Sequence, residues 1–429
     1  MTHRPRLLFV SPRFLFPASE GGRIRTSSML RHMKGGAFEM LLAAPAPSDA
    51  AEYAGDVAGI CDRFLSWPAP SASGLRRIAT RVAALAGPLP VSVATDISPA
   101  GRNVILRALA DRPDLVVIDF PHAAVLAPWP LGVPSVLFTH NVETEIFERH
   151  ARVAKGLWRH VWRNQAAKME RFERETCQAF TSVVAVSGRD AAALERRFAL
   201  PAVETIDTGV DLDFFRFTAP ADSPPVPEGG GTVVFTGALD SPANIDGIAF
   251  LMSEVWPLIA QARPAVRFAI VGRNPAASLL ARARQQRLPF SFTGFVDDIR
   301  PHVSGAHVSV IPLRVGSGTR IKAFEAMAMG LPVVSTSIGI EGLGLEPGRH
   351  FLPADDAPAF AAAILRLLDD AALRGRIAAA ARARLEKRYS WAQVTAKFEA
   401  ICLAALQRSA LASSPGAIPA PQNERTQYA

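Results

Sequence analysis

Residues 316–336, GSGTRIKAFEAMAMGLPVVST, combine a glycine-rich turn, two cations and one carboxylate in a short stretch. Gly316 and Gly318 allow the backbone to approach a ligand closely, and free N–H groups at a helix start favour an anion. Arg320 and Lys322 add positive charge at the same end, where the helix dipole alone would disfavour cations. We therefore predict a site for an anionic, phosphate-bearing ligand.

The surrounding sequence predicts the elements that hold this stretch. Residues 307–313 (HVSVIPL) are rich in β-branched side chains and predict a buried strand, whereas residues 320–329 predict a helix that ends at Gly330. Glu325 lies inside that helix, where its carboxylate can accept hydrogen bonds from ribose or sugar hydroxyls. The alternative explanation is an ordinary amphipathic core helix after a glycine turn.

Short apolar runs alternate with helical stretches along the whole chain. The predicted strands cover residues 7–10, 39–43, 115–119, 135–139, 183–186, 232–236, 266–271, 290–293, 307–311 and 333–335. This alternation is typical of βαβ units and parallel sheets. We predict an α/β fold of two doubly wound, Rossmann-like domains facing a cleft, with ligands bound beyond the carboxyl ends of the strands.

The composition is that of a globular protein, with 429 residues, 49% hydrophobic and 20% charged. No apolar run approaches the roughly 20 residues that span a bilayer, and the N-terminus does not resemble a signal peptide, so we expect a cytoplasmic protein. Cys61, Cys177 and Cys402 are far apart and predict neither a metal site nor a disulfide. The net charge of +8 favours anionic partners, and the absence of known nucleic-acid-binding motifs argues against nucleic acid.

Residues 155–175 predict a helix that carries both tryptophans and cations. Trp158 and Trp162 beside Arg159 and Arg163 would suit a helix lying on an anionic membrane at the inner face. The spacing of both tryptophans relative to Met169 also fits an ordinary core face, which we favour. Peripheral membrane contact is thus a secondary hypothesis.

Several segments together resemble the glycosyltransferase family 4 group, whose members are retaining, nucleotide-sugar-dependent enzymes with the GT-B fold. The resemblance lies, in the family's order, in residues 6–33, 135–145, 182–190, 208–215, 235–251, 268–275, 292–299 and 316–336. It implies an N-terminal acceptor-side domain over residues 1–215, a linker over 216–231 and a donor domain over 232–390. A helix over residues 391–410 packs back toward the first domain in similar proteins, and residues 411–429 are predicted to be a disordered tail.

The resemblance also implies roles for particular residues. Glu325 would hold the ribose hydroxyls, and His140 would contact the donor sugar or polarise the reacting centre. Arg320 and Lys322 would neutralise the leaving diphosphate, because the turn at residues 237–247 lacks the cations that the family commonly has there. The other implied donor-site residues are Gly21, Gly22, Gly237, Phe295, Val296, Gly316, Ser317, Gly318 and Thr319, and Arg23 and Arg25 are candidate acceptor or phosphate contacts.

Ser317 departs from the family, since many members carry a glutamate there that touches the donor sugar. The expected reaction is transfer with retention from a nucleoside diphosphate sugar to a hydroxyl of a glycan or lipid-linked acceptor, in polysaccharide or glycoconjugate biosynthesis. No cofactor or metal is expected, because Asp211 and Asp213 match the family's domain junction rather than a metal site. The alternatives are a nucleotide-sugar epimerase and an inactive nucleotide-binding subunit. A dehydrogenase fits poorly, because Ile321 stands where a third glycine is needed.

Overall fold

The computed structural model describes residues 4–18, 21–69, 81–218, 225–315 and 321–412. Their contacts divide the chain into two units, with the first running to Ile206 and resuming at Thr395, and the second running from Asp207 to Val394. The division thus comes before residue 215, the end expected from the sequence. Residues following Ile206 belong to the second unit because Val210 donates a backbone hydrogen bond of 2.8 Å to the carbonyl of Tyr389 and packs in the same core.

The first unit is built on a seven-stranded parallel sheet. Its strands are β1 (Arg6–Val10), β2 (Glu39–Ala46), β3 (Arg63–Pro68), β4 (Leu115–Asp119), β5 (Ser135–Phe138), β6 (Ser182–Ala185) and β7 (Glu204–Thr205). The spatial order is β3, β2, β1, β4, β5, β6, β7, and the register aligns Val10 with Ala43 on one side and Ile118 on the other. From β1 to β3 the chain adds strands on one side of β1, and from β4 onward it adds them on the other side. This reversal between β1 and β4 is where ligands of doubly wound sheets bind.

Helices cover the faces of this sheet, so the central strands are buried and read as nearly continuous apolar runs. The helices are α1 (Gly21–Met33), α2 (Ala54–Ala58), α3 (Val91–Ala94), α4 (Pro99–Ala110), α5 (Glu143–Val153), α6 (Leu157–Ala179) and α7 (Gly188–Phe198), with 3₁₀ turns at Ala50–Tyr53 and Pro121–Leu126. Ser98 and Ser187 cap α4 and α7 by accepting hydrogen bonds from the N–H groups three residues later.

The second unit is built on a six-stranded parallel sheet. Its strands are β8 (Gly230–Thr236), β9 (Ala265–Val271), β10 (Phe290–Phe292), β11 (Val308–Ile311), β12 (Val333–Ser335) and β13 (Leu352–Pro353). The order is β10, β9, β8, β11, β12, β13, so the reversal falls between β8 and β11. The loops after those two strands therefore flank the expected ligand crevice of this unit.

The helices of the second half follow the same alternation. They are α8 (Pro242–Phe250), α9 (Trp256–Ala262), α10 (Ala277–Gln285), α11 (Arg300–Ser304), α12 (Ile321–Ala328), α13 (Ser337–Ile340), α14 (Ala357–Asp369), α15 (Ala371–Arg388) and α16 (Trp391–Ala412), and a π-helical turn at Leu251–Val255 joins α8 to α9. Helix α16 begins in the second unit and belongs to the first from Thr395 onward, where Phe398 packs 5.3 Å from Phe138. Of the predicted tail, residues 411 and 412 end α16 and residues 413–429 lie outside the described residues, as does the part of the predicted linker at residues 219–224.

The predicted fold class of two parallel-sheet α/β domains is confirmed. Every strand predicted from the sequence is present, whereas β3, β7 and β13 were not predicted. Those three are edge strands, and β7 and β13 have two residues each, so they carry little apolar pattern.

The favoured core placement of the tryptophan helix is wrong at one position. Met169 and Phe172 of α6 are buried, as expected for a core face, but the side chain of Trp158 is 68% exposed. Trp162 is half-buried and stacks on His150 with ring centroids 4.4 Å apart. The core face of α6 therefore begins only after its first turn.

Candidate active site

In the second unit, the turn that follows β8 brings backbone and side-chain polar groups to the reversal point. Gly237 has φ of +151°, and its N–H donates to the carbonyl of Val271 at 3.0 Å. Asn244, in the first turn of α8, donates from Nδ2 to the carbonyl of Ala238 at 2.7 Å. The turn is therefore held in one shape by hydrogen bonds within the unit.

Lys322 brings its ammonium group to this same turn from α12. Its Nζ donates to Oδ1 of Asn244 at 3.0 Å and lies 4.2 Å from the centroid of the Phe235 ring. A Cβ added to Gly237 would stand 2.8 Å from that Nζ. The structure thus places the Lys322 cation beside a turn whose own sequence has none, and its role toward a diphosphate stays a prediction. Sequence reasoning missed Asn244, because an asparagine in a helix start is usually a capping residue.

Glu325 is one turn further along α12. Its side chain is partly exposed, and burial among protein atoms raises the pKa of its carboxyl to about 7, with the Lys322 charge opposing that rise. Among the residues that the structure describes, none hydrogen bonds to this carboxylate. A carboxylate kept poorly solvated without a hydrogen-bond partner is suited to accept hydrogen bonds from ligand hydroxyls.

Five of the predicted donor-site residues cannot be placed. Gly316, Ser317, Gly318, Thr319 and Arg320 lie outside the described residues, so their roles stay predictions. The described chain ends just before them at residue 315, in the loop after β11, and resumes at residue 321 with the first residue of α12.

Phe295 and Val296 follow the carboxyl end of β10. Gly294 before them has φ of +73°, and the Phe295 ring is 73% exposed, whereas Val296 packs partly buried against the core of the second unit. A large aromatic side chain left in solvent at this edge of a sheet is available to a ligand.

The first unit has a buried polar network at the reversal point between β1 and β4. Asp119, the last residue of β4, accepts hydrogen bonds at Oδ2 from Ser11 (3.3 Å) and Thr26 (3.1 Å). At Oδ1 it accepts from Nε2 of His140 at 2.7 Å. These hydrogen bonds connect the carboxyl ends of neighbouring strands with the first helix.

His140 is buried, and both of its ring nitrogens have partners inside the unit. Nδ1 lies 3.1 Å from Nη1 of Arg25, and because a guanidinium only donates, Nδ1 is the acceptor and Nε2 carries the proton given to Asp119. Burial lowers the pKa of His140 although Asp119 opposes the effect, so the ring is neutral at pH 7. Both ring nitrogens of His140 thus make interior contacts, and the sugar contact expected from the sequence stays a prediction.

Phe120 covers this histidine. Its ring stacks on His140 with centroids 3.9 Å apart and planes 8° apart, and its backbone has φ of +64°, a strained conformation for a residue with a side chain. A Cβ on Gly22 would lie 3.1 Å from the Phe120 ring, so any larger residue would require this ring to shift by a few tenths of an ångström.

The predicted glycine loop and its arginines differ from expectation. Gly21 and Gly22 begin α1 instead of preceding it. Arg25 was a candidate acceptor or phosphate contact, but its side chain is buried against His140, and burial lowers its pKa to about 10. Arg23 is partly buried. An arginine four residues into an amphipathic helix gives no sequence signal that it points inward.

Asp211 and Asp213 do not act as a pair in the structure. Oδ1 of Asp211 accepts hydrogen bonds from the N–H groups of Asp213 (3.1 Å) and Phe214 (2.8 Å), which closes a turn in the second unit. This local turn is the usual use of an aspartate that precedes its hydrogen-bond partners by two or three residues.

Comparison with known proteins identifies the family. Residues 21–214 match the model described as Glycosyltransferase Family 4, and residues 230–370 match the model described as Glycosyl transferases group 1. The two ranges take in most of the chain and one range falls on each unit. The protein belongs to glycosyltransferase family 4 and has the two α/β domains of the GT-B fold.

Two curated relatives are phosphatidyl-myo-inositol mannosyltransferases. That of Mycolicibacterium smegmatis is 33% identical over 215 residues, which are 48% of this chain and 53% of the relative. That of Mycobacterium leprae is 28% identical over 312 residues, which are 70% of this chain and 76% of the relative. The match thus spans about half the length of the first relative.

Solved structures share the fold at lower identity. A sucrose-phosphate synthase of Thermosynechococcus elongatus has a TM-score of 0.64 at 20% identity, covering 95% of this chain and 100% of that chain. HepE of Anabaena, solved in complex with UDP and glucose, has a TM-score of 0.64 at 16% identity, covering 93% of this chain and 100% of that chain. Among the described residues of the present protein, no helix is both long and apolar enough to cross a membrane.

Proposed function

We propose that this protein is a retaining glycosyltransferase that moves a sugar from a nucleoside diphosphate sugar to a hydroxyl of a glycan or lipid-linked acceptor. One observation carries the proposal: the ammonium of Lys322 is held by Asn244 over the turn after β8, at the reversal point of the second sheet. A fixed cation at that place suits the diphosphate of a donor. The names of the mannosyltransferase relatives favour a lipid-linked acceptor.

The second unit supplies the donor contacts in this proposal. Lys322, together with Arg320, neutralises charge that develops on the diphosphate as the glycosidic bond breaks. Glu325 accepts hydrogen bonds from two hydroxyls of the ribose, and ligand hydroxyls then replace the missing solvation of its carboxylate. Phe295 and Val296 follow β10, which is separated from β8 by β9, and in this proposal they contact the base.

The proposed reaction is a substitution on one face of the sugar. The departing phosphate oxygen takes the proton of the acceptor hydroxyl while the new bond forms, so the configuration at the anomeric carbon is kept. The sequence identifies no pair of carboxylates, one as nucleophile and one as acid, that would support a double displacement. Because Lys322 provides charge at the turn and Asp211 is engaged in its own turn, we propose that no metal ion is needed.

His140 acts as a positioning residue in this proposal. Its neutral ring ties Asp119 to Arg25 and supports the strained Phe120 at the reversal point of the first sheet. Replacing His140 by phenylalanine keeps a flat ring under Phe120 but removes both hydrogen bonds. We expect this variant to raise the KM for the acceptor more than it lowers kcat, whereas a residue acting on the reacting centre would lower kcat first.

A thermal-shift screen against UDP, GDP, ADP and TDP, each with its common sugars, tests the donor proposal. A ligand bound by the native state raises the apparent midpoint, and we expect one nucleotide to do so. The shift should vanish in Lys322→Ala and Glu325→Ala, return in part in Lys322→Arg, and persist in Lys387→Ala, an exposed cation of α15. No shift with any nucleotide in a folded sample would contradict the proposal.

The two alternatives are separated by turnover. An inactive nucleotide-binding subunit, which the serine at position 317 keeps open, would bind the nucleotide sugar without hydrolysis or transfer to any acceptor. An epimerase would convert the nucleotide sugar with no acceptor present. Transfer that requires an acceptor supports the transferase.

A further inference from the structure

Helices α5 and α6 form a hairpin whose tip carries apolar side chains in solvent. The two helices pack against each other, with Phe147 of α5 meeting Trp162 of α6 edge to face at 5.7 Å. At the tip, Leu157 is 79% exposed and Trp158 is 68% exposed. Two adjacent large apolar residues left in water indicate a contact outside the described fold.

The charge around the tip has a single sign. Between Glu148 and Glu170 the chain has six Lys or Arg residues and no Asp or Glu. The side chains of Arg152, Lys155, Arg159 and Arg163 are exposed there, and no ion pair engages any of these four among the described residues. Further along α6, by contrast, Arg174 and Arg171 form ion pairs with Glu170 and Glu175. The tip is thus a small apolar centre inside a ring of unneutralised positive charge.

We propose that this hairpin tip, residues 152–163, docks the protein on an anionic lipid bilayer, with Leu157 and Trp158 entering the interfacial layer. An indole side chain suits the headgroup level of a membrane, and arginine and lysine are attracted to the negative surface around it. Two apolar residues are too few for the core of a stable protein interface, which favours a lipid surface over a protein partner. The inference concerns where the enzyme works and rests on the proposed function only through its lipid-linked acceptor.

Vesicle flotation of the full chain tests whether the hairpin tip binds an anionic bilayer. We expect binding to vesicles of phosphatidylcholine mixed with phosphatidylglycerol, little binding to phosphatidylcholine alone, and release at high salt because screening weakens surface charge. Leu157→Asp with Trp158→Asp should lower the affinity at least tenfold. Arg159→Gln with Arg163→Gln should lower it about fivefold for each cation removed.

Helix α4 of the same unit provides matched controls, since Leu106, Arg102 and Arg107 are also exposed. Leu106→Asp, and Arg102→Gln with Arg107→Gln, should bind the same vesicles within twofold of the wild type. The proposal is overturned if the wild type ignores anionic vesicles at low salt, or if the tip variants bind as well as the α4 variants.

Insertion has its own spectroscopic signature. Tryptophan emission should shift to the blue when the wild type meets anionic vesicles, and Trp158→Phe should still bind but lose most of that shift. An equal shift in Trp158→Phe would contradict entry of this side chain into the interface. The nucleotide-induced thermal shift should be unchanged in every tip variant, so a failure of membrane docking is distinguishable from a failure of the donor site.

Discussion

Replacing Glu325 with glutamine should stabilise the protein in a pH-dependent way while removing donor binding. The folded protein holds this carboxyl's pKa at about 7, against an ordinary value of 4.5. Between these values the folded state binds more protons than the unfolded state, so the free energy of unfolding falls as pH rises from about 4.5 to about 7. A glutamine is neutral throughout and does not incur this loss.

The size of the effect follows from that pKa. At about 1.4 kcal/mol for each pH unit between the two values, ionisation costs about 3 kcal/mol, and partial exposure of the side chain reduces this to about 2 kcal/mol. For a unit of this size, that gain is roughly 4–8 °C in the midpoint of thermal unfolding.

Thermal melts of the wild type and of Glu325→Gln between pH 5 and pH 8 measure this difference in stability directly. We expect nearly equal midpoints at pH 5, where Glu325 is protonated, and a higher midpoint for Glu325→Gln at pH 8. The nucleotide-induced shift should be lost in the variant at both pH values. A midpoint difference that is the same at pH 5 and pH 8 would refute the reasoning, because it could not come from ionisation.

Three further predictions concern the turn after β8, the core of the second unit and the expected independence of metal ions. Gly237→Ala should weaken nucleotide binding at least tenfold in a titration, because its Cβ would displace the Lys322 ammonium, whereas Gly348→Ala, which also has a positive φ but open space, should not. Tyr389→Phe should destabilise the protein by about 1 kcal/mol in melts, since the buried carbonyl of Leu343 loses its 2.5 Å hydrogen bond. Transferase activity should persist in EDTA, and loss restored by Mg²⁺ or Mn²⁺ would contradict metal independence.

The sequence predicted secondary-structure elements well wherever the signal comes from residues that are neighbours in the chain. Runs of β-branched and aliphatic residues located the long central strands to within a few residues, because a strand buried on both faces is apolar at every position. Glycine and proline located the ends of α12. They also led to the linker predicted at residues 216–231, whereas the two units divide earlier, between Ile206 and Asp207. Edge strands such as β13, with two residues, give no such run and were missed.

The sequence predicted which residues form the candidate site, but it gave no information on the contacts that those residues make. The need for a cation near the turn after β8 came from the sequence, and Lys322 was identified as its source. That Asn244 holds the lysine, across 78 positions of the chain, is decided by the packing of α8 beside α12. His140 and Arg25 are a second example of contacts that the sequence did not predict. Both were expected to face a ligand, but they hydrogen bond to each other in the interior.

The sequence by itself determined the family and the two parallel sheets, because these depend on periodicity and on motifs whose residues are neighbours in the chain; it also predicted a site at the strand ends. Only the tertiary structure decided which polar groups are solvated. The burial that raises the pKa of Glu325, hides His140 under Phe120 and leaves Trp158 in water depends on residues far apart in sequence. The solvation of a side chain depends on all the atoms around it in space, so it cannot be predicted from the spacing of residues along the chain.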